Sequence, residues 1–183
     1  MDIVKYEDLD LKKIDYCSFR KKNNFINYYP MKYGNSFLLL KTPSLYVSES
    51  IKDTYDNFFV YLSFIGKKSN QKINKFYDTI VNVETQIYKD ISDVYNDIYF
   101  LPSIKEVDQN IESEFKEYDK IKLYISDNIL IYDLNTKEEI KLKNENEILD
   151  IIFCRNRLVK CIICLKYVWV SEIQFGCKWE IIQ

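Results

Sequence analysis

The sequence predicts a mainly β fold with one main helix, and three observations carry that prediction. The last quarter holds a long apolar run, Leu158 to Val170, rich in β-branched and aromatic residues and free of Pro and Gly. Three shorter runs near the N-terminus, Phe25–Tyr33, Phe37–Lys41 and Phe58–Phe64, have the same character. Between the two groups lies one long stretch of helical period, with Ile73, Phe76, Tyr77, Ile80, Val83, Ile87, Ile91 and Val94 at three- and four-residue spacing. The predicted order is three strands, one helix, then more strands, in a single domain spanning residues 1–183.

Residues 1–20 alternate charges with Ile3, Val4, Leu9, Leu11 and Ile14 and read as a loosely docked arm or a short strand. A basic turn, Arg20-Lys21-Lys22-Asn23-Asn24, precedes the first strand, Phe25 to Tyr33. Gly34-Asn35 supplies turn residues able to take positive φ. The second strand, Phe37 to Lys41, meets Thr42-Pro43, where proline kinks or ends it, and Leu45 to Ser48 resumes beyond the kink. The third strand stops at Gly66-Lys67-Lys68. Ser69 or Asn70 caps the helix, which is expected over 70–94. Tyr99 to Lys105 is extended, and residues 106–119 form an acidic linker. Short strands follow at Ile121–Ile125, Ile129–Tyr132 and Glu139–Lys143, and a helical turn is expected from Glu145 to Phe153.

The closing hairpin, 157–183, turns near Ser171 to Gln174 and returns as Phe175 to Ile182. Strict alternation places Cys161, Ile163, Leu165, Tyr167 and Trp169 on one face of its first strand, with Ile162, Cys164, Val168 and Val170 on the other. Both faces are apolar, so the strand is expected to be covered on both sides and to close a barrel or sandwich.

Composition narrows the function. Apolar residues make up 47% of the chain, enough to build a core and to exclude a disordered chain. Three glycines leave no room for a Gly-rich phosphate loop, and the absence of histidine removes Ser-His and Cys-His nucleophile systems. Five cysteines without a signal-peptide pattern give the expectation of a reducing, intracellular compartment. Lys160 and Lys166 interrupt the longest apolar run, so no membrane span is expected. Net charge is −2, but it is unevenly placed. Residues 1–75 carry 13 Lys/Arg against 8 Asp/Glu, and residues 76–183 carry 13 against 20. An anionic partner is therefore expected on the N-terminal half.

Four motifs, Phe37-Leu-Leu-Leu-Lys-Thr-Pro43, Phe59-Val-Tyr-Leu-Ser-Phe64, Ile73-Asn-Lys-Phe-Tyr77 and Val168-Trp169 with Phe175-Gly-Cys-Lys-Trp-Glu-Ile-Ile182, occur in that order. In this arrangement the chain resembles the single-stranded DNA-binding proteins of large nucleocytoplasmic DNA viruses, a family related to phage single-strand binding proteins. The resemblance runs from about Phe25 to Gln183 and is most specific in the final hairpin. It implies an OB-fold-like five-stranded antiparallel barrel with a helix between strands 3 and 4 and an extra hairpin. It further implies sequence-tolerant binding of single-stranded DNA in viral replication, recombination or repair, without catalysis or cofactor. Replication or virion proteins and a second copy of the chain are further expected partners, and the host cytoplasm or the virion is the expected location. No acidic tail of the kind seen in that family follows the last strand in the residues up to Gln183, so a divergent member is expected. The alternative is a non-enzymatic structural or scaffolding protein that uses the same barrel to bind proteins.

Single-strand binding needs cations for the phosphates and open aromatic faces for the bases. The phosphate candidates are Arg20, Lys21, Lys22, Lys32, Lys41, Lys67 and Lys68; the stacking candidates are Tyr28, Tyr29, Tyr33, Tyr46 and Tyr61. Alternation groups Phe25, Asn27, Tyr29 and Met31 opposite Ile26, Tyr28, Pro30 and Lys32, and one of these faces is core. Trp169 and Trp179 are read as core. Cys161-x-x-Cys164 has a zinc-ligand spacing, but residues three apart in a strand face opposite ways, so buried thiols are expected there and at Cys154 and Cys177. Asp133 with Glu139 and Lys141 could hold Mg²⁺ in a nuclease, yet they flank an ordinary hairpin, where a surface salt bridge is the expected role.

Overall fold

A computed structural model describes residues 3–21, 26–52, 58–95, 97–107, 118–141, 147 and 152–183. Lys22, the start of the first strand at Phe25, most of the acidic linker (108–117) and most of the helical turn expected from Glu145 lie outside the described residues. The described strands are β1 (Ile14–Tyr16), β2 (Arg20–Lys21), β3 (Asn27–Tyr33), β4 (Leu38–Lys41), β5 (Leu45–Lys52) and β6 (Phe58–Ser63). The helix α1 (Gln71–Ser92) follows, and then β7 (Tyr99–Leu101), β8 (Ile104–Lys105), β9 (Lys120–Ile125), β10 (Leu158–Val159), β11 (Ile162–Val170) and β12 (Gln174–Ile181). The protein is thus mainly β with one main helix.

All twelve strands belong to one mixed sheet, which corrects the expectation of a five-stranded antiparallel barrel. The reason lies in the long strands β11 and β12, whose edges are each shared. β11 pairs with β4 along Ile162–Leu165 and with β3 along Tyr167–Val170. β12 runs parallel to β7 at Gln174–Gly176 and parallel to β9 at Glu180–Ile181. β9 continues the sheet into β6, and β6 into β5, by antiparallel pairing. The bend at Thr42-Pro43 is where β4 hands over to β5. There Thr42 donates its N–H to the Cys161 carbonyl at 2.8 Å, and its hydroxyl accepts the Cys161 N–H at 2.9 Å. β5 then pairs with β10.

One face of the sheet is core. Leu45, Val47, Val60, Leu62, Ile121, Leu123, Ile163, Leu165, Trp179 and Ile181 are fully buried on it, together with Phe76, Ile80, Val83 and Ile87 of α1. A register shift between Leu165 and Tyr167 sets Lys166 in a bulge. It places Val168 and Val170 beside Ile163 and Leu165 in the core and turns Tyr167 and Trp169 outward, which overturns strict alternation along this strand. Trp179 is core as expected, whereas Trp169 is half-buried and lies over Gly176 on the outer side.

The helix starts where expected. The Asn70 side chain accepts the N–H groups of Lys72 and Ile73, satisfying two otherwise unpaired donors of the first turn. The N-terminal arm is docked rather than loose. Tyr6 meets Phe76 edge-on at 5.6 Å, the Tyr16 hydroxyl donates to Asp90 at 2.7 Å, and β1 pairs with β3. Among the described residues, the expected strands at Ile129–Tyr132 and Glu139–Lys143 show one bridge, between Tyr132 and Glu139; residues 142 and 143 lie outside the described residues. Among the described residues, no helix is long and apolar enough to cross a membrane.

Candidate nucleic-acid interface

The outer face of the sheet brings amines and aromatic rings together. β9 alternates strictly: Ile121, Leu123 and Ile125 are buried, so Lys120, Lys122 and Tyr124 stand on the other side. In β12 the same alternation buries Cys177 and Trp179 and turns out Lys178 and Glu180. In β6 it buries Val60 and Leu62 and turns out Phe59 and Tyr61, with Phe59 largely covered by its neighbours. Cross-strand pairing sets Tyr124 opposite Phe59 and Lys122 opposite Tyr61, so rings and amines interleave.

The result is a continuous row across six strands. Tyr28 on β3 and Tyr167 on β11 have ring centroids 5.2 Å apart. The Lys178 amine lies 5.6 Å from the Tyr167 ring centre and 4.8 Å from that of Tyr124. Lys122 sits 4.0 Å over Phe59 and 4.9 Å over Tyr124, and Lys120 sits 4.9 Å over Tyr61. At the β5 end Lys120 pairs with Glu49. With strands spaced by about 4.8 Å, the row is about 24 Å long. Each ammonium is drawn to a ring face by the ring quadrupole. These amines are thereby held in place, so ordering them on a ligand costs little entropy.

Two carboxylates temper the charge. Glu180 accepts from Lys166 at 3.0 Å and lies 3.8 Å from Lys178. Burial works to lower the Lys166 ammonium pKa, but the Glu180 carboxylate overrides it and the net shift is upward. Among the described residues Lys122 has no carboxylate within ion-pair distance, which leaves it the amine best placed for a phosphate.

The expected site residues divide. Tyr28 and Tyr61 lie in the row, and Arg20, paired across strands with Tyr28, extends it, followed by Lys21 on the same edge. Lys32, Lys41 and Lys68 are exposed but stand outside the row. Tyr29 and Tyr33 are on the core side with Met31, which settles which face of β3 is buried. The Tyr29 hydroxyl is 2.7 Å from that of Tyr95, and burial followed by this bond pushes its pKa up to about 12. The Tyr33 hydroxyl accepts the Asp10 N–H at 3.1 Å. Both side chains therefore stand on the face opposite the row. Lys67 is paired with Asp119 at 2.6 Å and lies 3.6 Å over the Tyr77 ring, which ties it to the junction of helix and sheet. Tyr46 is 44% exposed and stands beyond the end of the row.

Sequence reasoning missed Lys120, Lys122, Tyr124, Tyr167 and Lys178. The signal was present in Lys120-Ile-Lys-Leu-Tyr-Ile125 and Cys177-Lys-Trp-Glu180, where polar or aromatic residues alternate with core residues.

The other constellations resolve structurally. Cys161 and Cys164 are buried, with their thiols pushed by burial up to about 12 and about 11. Among the described residues no cluster of Cys, Asp and Glu is placed to hold a metal ion. Asp133 accepts the N–H groups of Asn135 and Thr136, and these bonds lower its pKa; it caps a turn instead of making the expected salt bridge.

In comparison with known proteins, no protein-family model matches the chain and no curated protein matches it.

Proposed function

We propose that the protein binds single-stranded DNA without sequence preference, along the outer face of its sheet, and catalyses no reaction. The observation that carries this reading is the row of alternating amines and rings from Tyr28 to Lys120. Lysines spaced between aromatic faces match a strand whose phosphates and bases alternate. Bases stack on any π-face, so such a row tolerates any sequence. The clustering of cations on one face offsets the overall charge of −2.

Two further features support an OB-derived sheet, opened and enlarged by extra strands, and with it the viral single-strand binding family. The chain from Leu38 to Lys52 bends once and pairs with β11 before the bend and β6 after it. β9 and β12 pair in parallel although β11 with β12 and β6 with β9 pair antiparallel, so a crossover and not a hairpin joins them. Replication, recombination or repair of a viral genome is the role that this resemblance supplies. A scaffolding role is the second reading, favoured by the exposed apolar group Tyr99, Leu101 and Ile173 along β7.

The test is fluorescence anisotropy with a labelled 30-mer oligo(dT) against duplex of equal length over a salt series. Binding of the single strand that weakens with salt, and weakens further in Lys122→Ala, supports the DNA reading. Failure of both strand forms to bind at low salt overturns it in favour of scaffolding.

A further inference from the structure

A groove of about 830 Å³ opens at the β5 end of the row, lined among others by Tyr46, Ser48, Glu49, Tyr118, Lys120 and Arg155. Lys120 belongs to both features, since its amine also lies over Tyr61. Ser48 stands at a register shift in the β5–β6 ladder, between Val47 and Glu49, which frees this stretch of β5 from regular pairing. Opposite it, Arg155 is exposed on the turn that leads into β10. That turn is anchored on both sides: Asn156 donates its N–H to the Val47 carbonyl, and Val47 donates to Arg157, each at 2.8 Å. Among the described residues Arg155 has no carboxylate within ion-pair distance, whereas Lys120 is engaged by Glu49.

We propose that this groove is where the single strand leaves the sheet face, with Arg155 receiving a backbone phosphate and the Tyr46 ring receiving the adjacent base. The proposal rests on the reading of the row as a DNA-binding surface and extends the path beyond it. A guanidinium presents a planar fork that matches two phosphate oxygens, so Arg155 is suited to a phosphodiester in a way that a lysine is not. Ser48 adds a hydroxyl able to bond phosphate or sugar oxygens. Tyr46 alternates with core residues Leu45 and Val47, so its ring stands on the outer side, open to a base. Glu49 opposes a phosphate at the Lys120 end and thereby favours placing it at the Arg155 end.

The experiment measures binding of the labelled 30-mer oligo(dT) to wild type, Arg155→Ala, Arg155→Lys, Tyr46→Ala and Lys122→Ala, with free thymidine monophosphate as competitor. Circular dichroism confirms that each variant is folded. Arg155→Ala is expected to weaken the 30-mer about tenfold and to lower the salt slope by about 0.7, the value for one phosphate contact on a single strand. Arg155→Lys is expected to keep the salt slope but recover only part of the affinity. If Lys122→Ala weakens binding while Arg155→Ala and Tyr46→Ala stay within twofold of wild type, the row stands and the groove proposal falls. If thymidine monophosphate binds in an Arg155-dependent way but the 30-mer ignores Arg155, the groove is a separate nucleotide pocket, which also overturns the strand path. Absence of wild-type binding to any strand removes the underlying reading, and the proposal with it.

Discussion

The indole N–H of Trp179 donates to one carboxylate oxygen of Glu84 at 3.0 Å, and the backbone N–H of Ser103 donates to the other, also at 3.0 Å. One side chain on the apolar face of α1 thus pins the helix to β12 and to the segment between β7 and β8. Glu84 is only 3% exposed, and burial raises its pKa above the ordinary carboxylate value despite those two donors.

This raised pKa gives stability a pH slope of known sign. Between the unfolded value, about 4.3, and the higher folded value, the native state holds a proton that the unfolded chain has lost. Stability is therefore greatest below the unfolded value and falls as pH rises through the folded one. Urea midpoints measured from pH 4.5 to 8 are expected to decline in wild type and to decline less in Glu84→Gln. Glu84→Ala strands the Trp179 and Ser103 donors and is expected to cost about 3 kcal/mol.

Gly176 is held by close approach. A Cβ there would stand 2.8 Å from the Leu101 carbonyl and 2.9 Å from the Trp169 ring. Gly176→Ala is expected to lower stability by about 1–3 kcal/mol, as overpacking does, and to shift Trp169 fluorescence. Adding Trp169→Leu is expected to recover only part of the loss, because the backbone contact with β7 persists.

On the proposed binding face, Tyr61→Ala is expected to weaken oligo(dT) binding by about 1–3 kcal/mol without changing the salt slope. Tyr29→Phe tests the division of the tyrosines. It removes a part-buried hydroxyl pair on the core side, so about 1 kcal/mol of stability is expected to go while DNA affinity stays unchanged. Urea denaturation and anisotropy separate the two effects.

Thiol chemistry checks the buried cysteines. Cys161, Cys164 and Cys177 are buried, and burial raises all three thiol pKa values. With an aromatic disulfide reagent at pH 8, at most Cys17 and Cys154 are expected to react before unfolding, and all five in urea. Rapid modification of more than two thiols in the native protein would contradict the arrangement of β11 and β12.

Several elements were legible because their cause is local. The period of α1 and the Asn70 cap follow from spacing and from one side-chain acceptor, and the helix runs within two residues of the expected bounds. The Ser171–Gln174 turn and the returning strand follow from β-branched and aromatic composition. The row of amines and rings proposed as the binding face was only half legible. Tyr28 and Tyr61 were identified but Lys122 and Lys178 were not, because basic residues were sought on the N-terminal half, where charge is concentrated. The sheet instead sets lysines of β9 and β12 against rings of β6, β9 and β11.

The sequence by itself determined the mainly β class, the position of the one helix, the closing hairpin and the apolar character of the core, since each depends on the period and type of neighbouring residues. Only the tertiary structure decided which face of β3 is buried, how the edges of β11 and β12 are shared among four other strands, and where amines meet rings. Those depend on pairing between residues far apart in the chain. A single bulge at Lys166 is enough to exchange the two faces of a strand, and nothing in its neighbours announces it.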